Sequence, residues 1–205
     1  ARAAALDRRA AAWHAAAGRT DEEIRHLLAA GDFADAAARM AAAVDAALAQ
    51  GRWQTIIRWA RALPADAIQA HPRLLTMLAT AYSYDGDMAD SIAAFASAAA
   101  LYEAAGDDEG LAAVLVSRSL AWRMLGQLDD AIADSRRALE LTRDPLMTTA
   151  PLAHRSLGGA FMLRGDVAEA DRELREALEG FERRGAATSA ALVHTDLSAL
   201  HQMSG

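Results

Sequence analysis

Gly86, Gly126, Gly165 and Gly205 stand 40, 39 and 40 residues apart. A chain repeating at such a period is confined to stacking one small supersecondary unit on the next. Each glycine holds the same place in an apolar pattern. Seven residues before it comes a small residue, Ala79, Ser119, Gly158 or Ser198, and four before it a large ring, Tyr82, Trp122, Phe161 or His201. Five, nine and twelve residues after it come Ser91, Phe95 and Ala98, then Ala131, Ser135 and Ala138, then Ala170, Leu174 and Ala177. Small residues let two helices of a hairpin approach closely, and the rings fill the space where successive hairpins stack.

The pattern resembles the tetratricopeptide repeat, most fully from Leu157 and Gly158 through Ala160, Phe161 and Gly165 to Ala170, Leu174, Ala177 and Leu178. The resemblance implies an all-α fold, an α-solenoid or superhelix of tetratricopeptide-like hairpins with a period of about 40 residues. Because the usual repeat has 34 residues, helices or loops must be longer here, and Gly106 and Gly185 mark where longer second helices end. Alanine, the best helix former, is about a quarter of the chain. No run of β-branched residues reads as a strand. Pro64, Pro72, Pro145 and Pro151 fall at linkers or helix starts.

About eleven helices are expected. Residues 1–71 read as irregular helical hairpins, with turns at Gly18, Gly31 and Gly51 and a capping box of Thr20 and Glu23. Residues 72–205 read as the regular repeats, the last of them incomplete. With no second helix after Gly205 and no initiator Met, the chain is expected to belong to a longer one.

Composition removes several function classes. Cysteine is absent, so neither a disulfide framework nor a thiolate metal site is expected. The net charge is −7 and basic residues are not clustered, which argues against direct contact with nucleic acid. Apolar residues reach 53% of the chain, but no uninterrupted run approaches the roughly 18 needed to span a bilayer. No leader is visible at Ala1, and a cytoplasmic setting is expected. No nucleophile and base fall into a recognisable pattern, so no catalytic residue, no cofactor and no enzyme activity are expected. His154 and His194 share a repeat position, and His201 lies seven residues beyond His194. Seven residues rise about 10.5 Å along a helix, too far to share one zinc. Packing at the hairpin interface is their expected role. Asp107-Asp108-Glu109 and Asp129-Asp130 fall at helix starts, where they favour the helix dipole.

Two blocks in the front third carry a narrower resemblance. Arg8 to Trp13, then Gly18, then Glu22 to Asp32 is similar to the stretch that follows the nucleotide-binding module in MalT-type regulators. Arg58-Trp59, Ala62 to Pro64, His71 to Leu75 and Ala79 resemble that family's entry into its superhelical sensor domain. The chain departs from the family at Asp7, where His is common, and at Glu23, where Ala is common. The resemblance implies the central sensor domain of a LuxR-family, ATP-dependent transcription regulator. An ATPase would lie upstream and a helix-turn-helix domain downstream, since no phosphate loop ending in Lys-Thr or Lys-Ser exists in a lysine-free chain. A small-molecule effector or a regulatory protein would occupy the concave groove. The alternative is a free-standing adaptor that assembles other proteins, and self-association is compatible with either.

In such repeats the first helix of each hairpin lines the concave face. Counting back 13, 10, 6, 3 and 2 residues from each glycine gives the candidate lining, of which Arg73, Thr76, Thr80, Tyr84, Arg123, Arg155, Met162 and Gln202 are the expected ligand-binding residues. Arginines, hydroxyls and apolar groups together suit a ligand with an anionic or polar end and an apolar or planar body. The same residues describe equally well a solvated face with packing between repeats. The clamp by which some tetratricopeptide adaptors hold a peptide carboxylate needs Lys and Asn, and the chain has neither. Arg123 and Arg155 have the fork geometry to hold a carboxylate or phosphate instead.

Overall fold

The backbone of the computed structural model, which describes residues 2–142 and 149–204, puts the register glycines where the repeat needs them. Gly86, Gly126 and Gly165 have φ of 89°, 74° and 89°, a left-handed conformation that glycine alone adopts cheaply. Each closes its helix in the same way. The amide of the following residue donates to the carbonyl of the ring residue four before the glycine: Asp87 to Tyr82 at 3.0 Å, Gln127 to Trp122 at 2.9 Å and Asp166 to Phe161 at 3.0 Å. Gly205 and Pro145 lie outside the described residues.

Twelve helices and no strand are found among the described residues. They are α1 (Arg2–Ala16), α2 (Thr20–Ala30), α3 (Phe33–Ala49), α4 (Trp53–Arg61), α5 (Ala65–Gln69), α6 (Pro72–Asp85), α7 (Met88–Ala105), α8 (Asp108–Met124), α9 (Leu128–Leu141), α10 (Ala150–Arg164), α11 (Val167–Arg183) and α12 (Ala187–Ser204). The expected number was about eleven; the difference is α5. Pro64, extended at φ −60° and ψ 149°, separates that one-turn helix from α4. The chain divides into two compact units, Ala1–Leu101 and Tyr102–Gly205, and the division falls inside α7.

In the first unit α2 packs on α1 and α3, and α4 packs on α3 and α6. Phe95, Ile24, Met40, Val44, Ile56 and Leu74 are its most deeply buried large side chains. The capping box is not formed. Arg39 takes both partners, giving Nε to Glu23 at 2.7 Å and Nη2 to the Thr20 hydroxyl at 2.6 Å. A long-range ion pair thus ties α3 to α2 where a local cap was expected, because α2 already begins at Thr20, with Arg19 before it.

In the second unit α8, α9, α10, α11 and α12 pack each on the next, and the first helices α8 and α10 also touch. Across both units, the nine residues five, nine and twelve positions after the described register glycines are each at most 1% exposed. Gly158 explains the tight end of this seam. A Cβ there would stand 2.8 Å from Leu174 Cγ and 3.3 Å from the Ala170 carbonyl oxygen. Where the seam is polar, it is bonded. Ser83 and Ser91 hydroxyls meet at 2.6 Å; Ser156 donates to Ser119 at 2.9 Å, and Ser119 lies 2.9 Å from both Ser135 and the Ala131 carbonyl oxygen. A buried hydroxyl without a partner is costly, whereas bonded it costs little, so serine substitutes for alanine here.

Eight residues after Gly126 and Gly165 a carboxylate enters each second-unit hairpin: Asp134, 8% exposed, and Glu173, 7% exposed. Arg118 grips Asp134 through two bonds of 2.7 Å, and Trp122 Nε1 adds a third at 3.1 Å. Glu173 is bonded to His154 Nδ1 at 2.8 Å and Arg172 Nη2 at 2.9 Å. Burial would raise the Glu173 carboxyl, but the hydrogen bonds from His154 and Arg172 outweigh it and hold the group below its ordinary value.

Gly158→Leu is therefore expected to lower stability by about 1–3 kcal/mol through overpacking, measured by thermal or denaturant unfolding; parent-like stability would refute the close approach. Glu173 gives a pH dependence of defined sign. Its folded value is depressed, so its stabilisation is complete above the unfolded value near 4.5 and is lost as pH falls through the folded one. The stability gap between the parent and Glu173→Gln should accordingly narrow below about pH 4.5, as urea midpoints across pH 3–7 would record.

Candidate functional site

The repeat register carries side chains from α8 and α10 to a common wall. Val116, Leu120 and Arg123 stand ten, six and three residues before Gly126; Leu152, Arg155, Gly159 and Met162 stand thirteen, ten, six and three before Gly165. All seven line one groove of the second unit, with Ser117, Ser156 and Asp196 completing it, and its cavity measures about 390 Å³. Leu120 and Leu152 are each 42% exposed. Such a volume falls within the range of small-molecule sites.

Two arginines in this groove have different surroundings. Arg155 gives Nε to Asp196 on α12 at 2.7 Å. Arg123 has no hydrogen-bond or ion-pair partner among the described residues, and its Nε is enclosed and unbonded. Its guanidinium rests on the bare backbone of Gly159, where an added Cβ would stand 2.5 Å from Nη1 and 2.9 Å from Cζ. Burial pulls the Arg123 guanidinium below its ordinary value; attraction to Asp196 opposes this and repulsion from Arg155 adds to it. At neutral pH it remains a cation.

Of the eight expected ligand-binding residues, Arg123, Arg155 and Met162 meet in this groove. Arg73, Thr76, Thr80 and Tyr84 lie on α6 in the first unit, and three of them are engaged. Arg73 pairs with Asp45, the buried Thr76 bonds back to the Pro72 carbonyl at 2.9 Å, and Thr80 to the Thr76 carbonyl at 3.0 Å. The hydroxyls of Thr76 and Thr80 thus donate into their own helix, a local competition open to any helical threonine. Tyr84, 56% exposed, sets its ring against Trp53 with centroids 5.9 Å apart. Gln202 is exposed near the end of α12 and does not line the groove.

Asp196 was missed among the expected site residues. Its signal is its spacing, 41 residues beyond Arg155 or one period plus one, which brings it across from the next first helix. The histidines need correcting too. Of the three, His154 is half-buried in the hairpin interface, whereas His194 and His201 are exposed, His201 lying 3.4 Å from Asp171 on α11. Among the described residues no group of three or more His, Cys, Asp or Glu side chains is placed to hold a metal, and no helix is long and apolar enough to cross a membrane.

No protein-family model and no curated protein matches the chain. Solved structures do resemble it. The MamA protein is 17% identical with a TM-score of 0.65, over 90% of this chain and 94% of that one. BtubC (BKLC) from P. vanneervenii is 14% identical with a TM-score of 0.50, over 100% of this chain and 92% of that one. A Podosopora anserina putative kinesin light chain with nearly identical TPR-like repeats is 14% identical at a TM-score of 0.47, over 90% and 94%. At these identities the likeness is one of fold, an all-α solenoid of tetratricopeptide-like hairpins. Nothing among these likenesses connects the chain with MalT-type regulators.

The two adjacent glycines of α10 give opposite expectations. Gly159→Ala meets the movable end of Arg123 and gains helix preference, so stability should be unchanged or up to about 1 kcal/mol higher, with the guanidinium displaced. Thermal unfolding together with a crystal structure of the variant checks both; a loss as large as that of Gly158→Leu would place Arg123 differently.

Proposed function

We propose that the chain is a non-catalytic binding scaffold whose α8–α10 groove takes up a segment of a partner protein. The carrying observation is the groove's mixed wall: half-exposed Leu120 and Leu152, with Val116 and Met162, around a small number of polar groups. Apolar side chains left in a concavity rimmed by charge mark an interaction site. Met124 at 53% and Leu163 at 55% exposure extend apolar surface along the same helices. In this reading residues 1–71 lead into the repeats of residues 72–205.

A narrower reading, the sensor domain of a MalT-type regulator with an effector in the same groove, is favoured by the two N-terminal sequence blocks and by the groove's small volume. The adaptor reading takes precedence because it needs only the fold and the groove.

Peptides selected from a random phage-displayed library on the immobilised chain should protect backbone amides of α8 and α10 in hydrogen exchange. A Leu120→Asp, Leu152→Asp double variant should bind them about tenfold or more weakly, the effect of facing apolar anchors with two charges. Selected peptides that bind this variant as well as the parent would refute the groove as the partner site.

A further inference from the structure

Within that groove one positive charge is left over. The charged side chains lining it are Arg123, Arg155 and Asp196. Asp196 is already taken by Arg155 at 2.7 Å, so the surplus is one cation and it resides on Arg123. This arginine is also held in place. Its guanidinium lies in the notch that Gly159 leaves open, and its Nε is shut in, which leaves its outer nitrogens for a ligand. A guanidinium confined in this way has lost much of its hydration and rotamer freedom before anything binds, the condition under which a charge-assisted bond contributes most to selectivity. Beside it stand Leu120 and Met162.

We propose that Arg123 is the specificity residue of the groove, receiving a single carboxylate carried by an apolar segment of a partner protein. The proposal rests on the groove being the partner site. A carboxylate matches a surplus of one. A phosphate brings about −1.5 to −2 at neutral pH, more than Arg123 neutralises, and Asp196 would repel the excess. Arg155 then acts as a positioning residue: by occupying Asp196 it keeps that carboxylate from closing on Arg123. The carboxylate is supplied either by a chain terminus or by an acidic side chain, and the two present the same group to the guanidinium.

Four probes at millimolar concentration separate these sources by amide NMR on the full chain. N-acetyl-Leu-Ala-Leu-Leu as the free acid is compared with its C-terminal amide, and N-acetyl-Leu-Glu-Leu-Leu-amide with its Gln counterpart. At least one acid should shift the α8 and α10 amides and bind about tenfold or more tighter than its neutral partner, the scale of a charge-assisted hydrogen-bonded pair. Whichever pair shows the preference identifies the source. Arg123→Met should abolish the preference, so that neither acid binds more tightly than its neutral partner, and Gly159→Ala, which keeps the charge but fills its seat, should reduce it. Equal binding of acids and neutral partners to the parent overturns the proposal and leaves the groove reading standing. So does an acid preference that survives Arg123→Met, or inorganic phosphate binding the same amides more tightly than either acid. If none of the four peptides shifts the groove amides, both the proposal and the groove reading fall.

Discussion

The close approach of the two helices in each hairpin is the constraint on which the rest depends. It needs small residues on both sides of a seam, and the seam recurs every 39 or 40 residues: Ala79 with Ser91, Ser119 with Ala131 and Ser135, Gly158 with Ala170 and Leu174. Any larger group there would separate the helices and move every residue that the register delivers to the groove. Fold and site are therefore linked through geometry and not through shared side chains. The seam also accepts hydroxyls, because Ser156, Ser119 and Ser135 satisfy one another and the Ala131 carbonyl in a closed set.

Charge in the second unit is handled by two different rules. Inside the hairpins, the carboxylates of Asp134 and Glu173 are buried and surrounded by donors, so no charge is left without a partner. In the groove the balance is left incomplete. Arg155 is neutralised by Asp196 and Arg123 is not, although burial disfavours its charged form. A structural ion pair would have removed that penalty. On a solvated face an unpaired arginine would extend into water, whereas Arg123 stays enclosed against Gly159, which supports the proposed binding role of this wall.

What was legible in the sequence was what depends on period. The positions around Gly86, Gly126 and Gly165 foretold the seam, since small residues at fixed offsets have no other reason to recur. The wall of the groove followed from the same offsets, which is why Arg123, Arg155 and Met162 were found together. What depends on a side chain's reach was not legible. Arg39 competes for Thr20 and Glu23 from sixteen or more residues away, and Asp45 reaches Arg73 from another helix; neither partner is adjacent in the pattern. The hydroxyls of Thr76 and Thr80 donate to the carbonyl four residues back, a local choice that the period does not encode. His194 and His201 were expected to pack, as half-buried His154 does, but both are exposed, and His201 meets α11 through Asp171 at 3.4 Å.

Gly158 and Gly159 condense the relation between stability and recognition into two successive residues. Neighbours on a helix point about 100° apart, so one missing side chain opens the seam toward Leu174 and the next opens the groove wall toward Arg123. In both cases glycine supplies space rather than backbone freedom, since α10 is regular through both positions. Glycine inside a helix costs about 1 kcal/mol relative to alanine, and the two costs are recovered differently. At Gly158 the return is buried contact with Leu174, which lies in the same folded core and stabilises the hairpin directly. At Gly159 the space is filled by a desolvated and unpartnered cation, which gives the folded chain no comparable gain. A destabilising residue that makes room for a second unfavourable feature is understandable where a ligand completes the arrangement, as the proposed carboxylate would at Arg123.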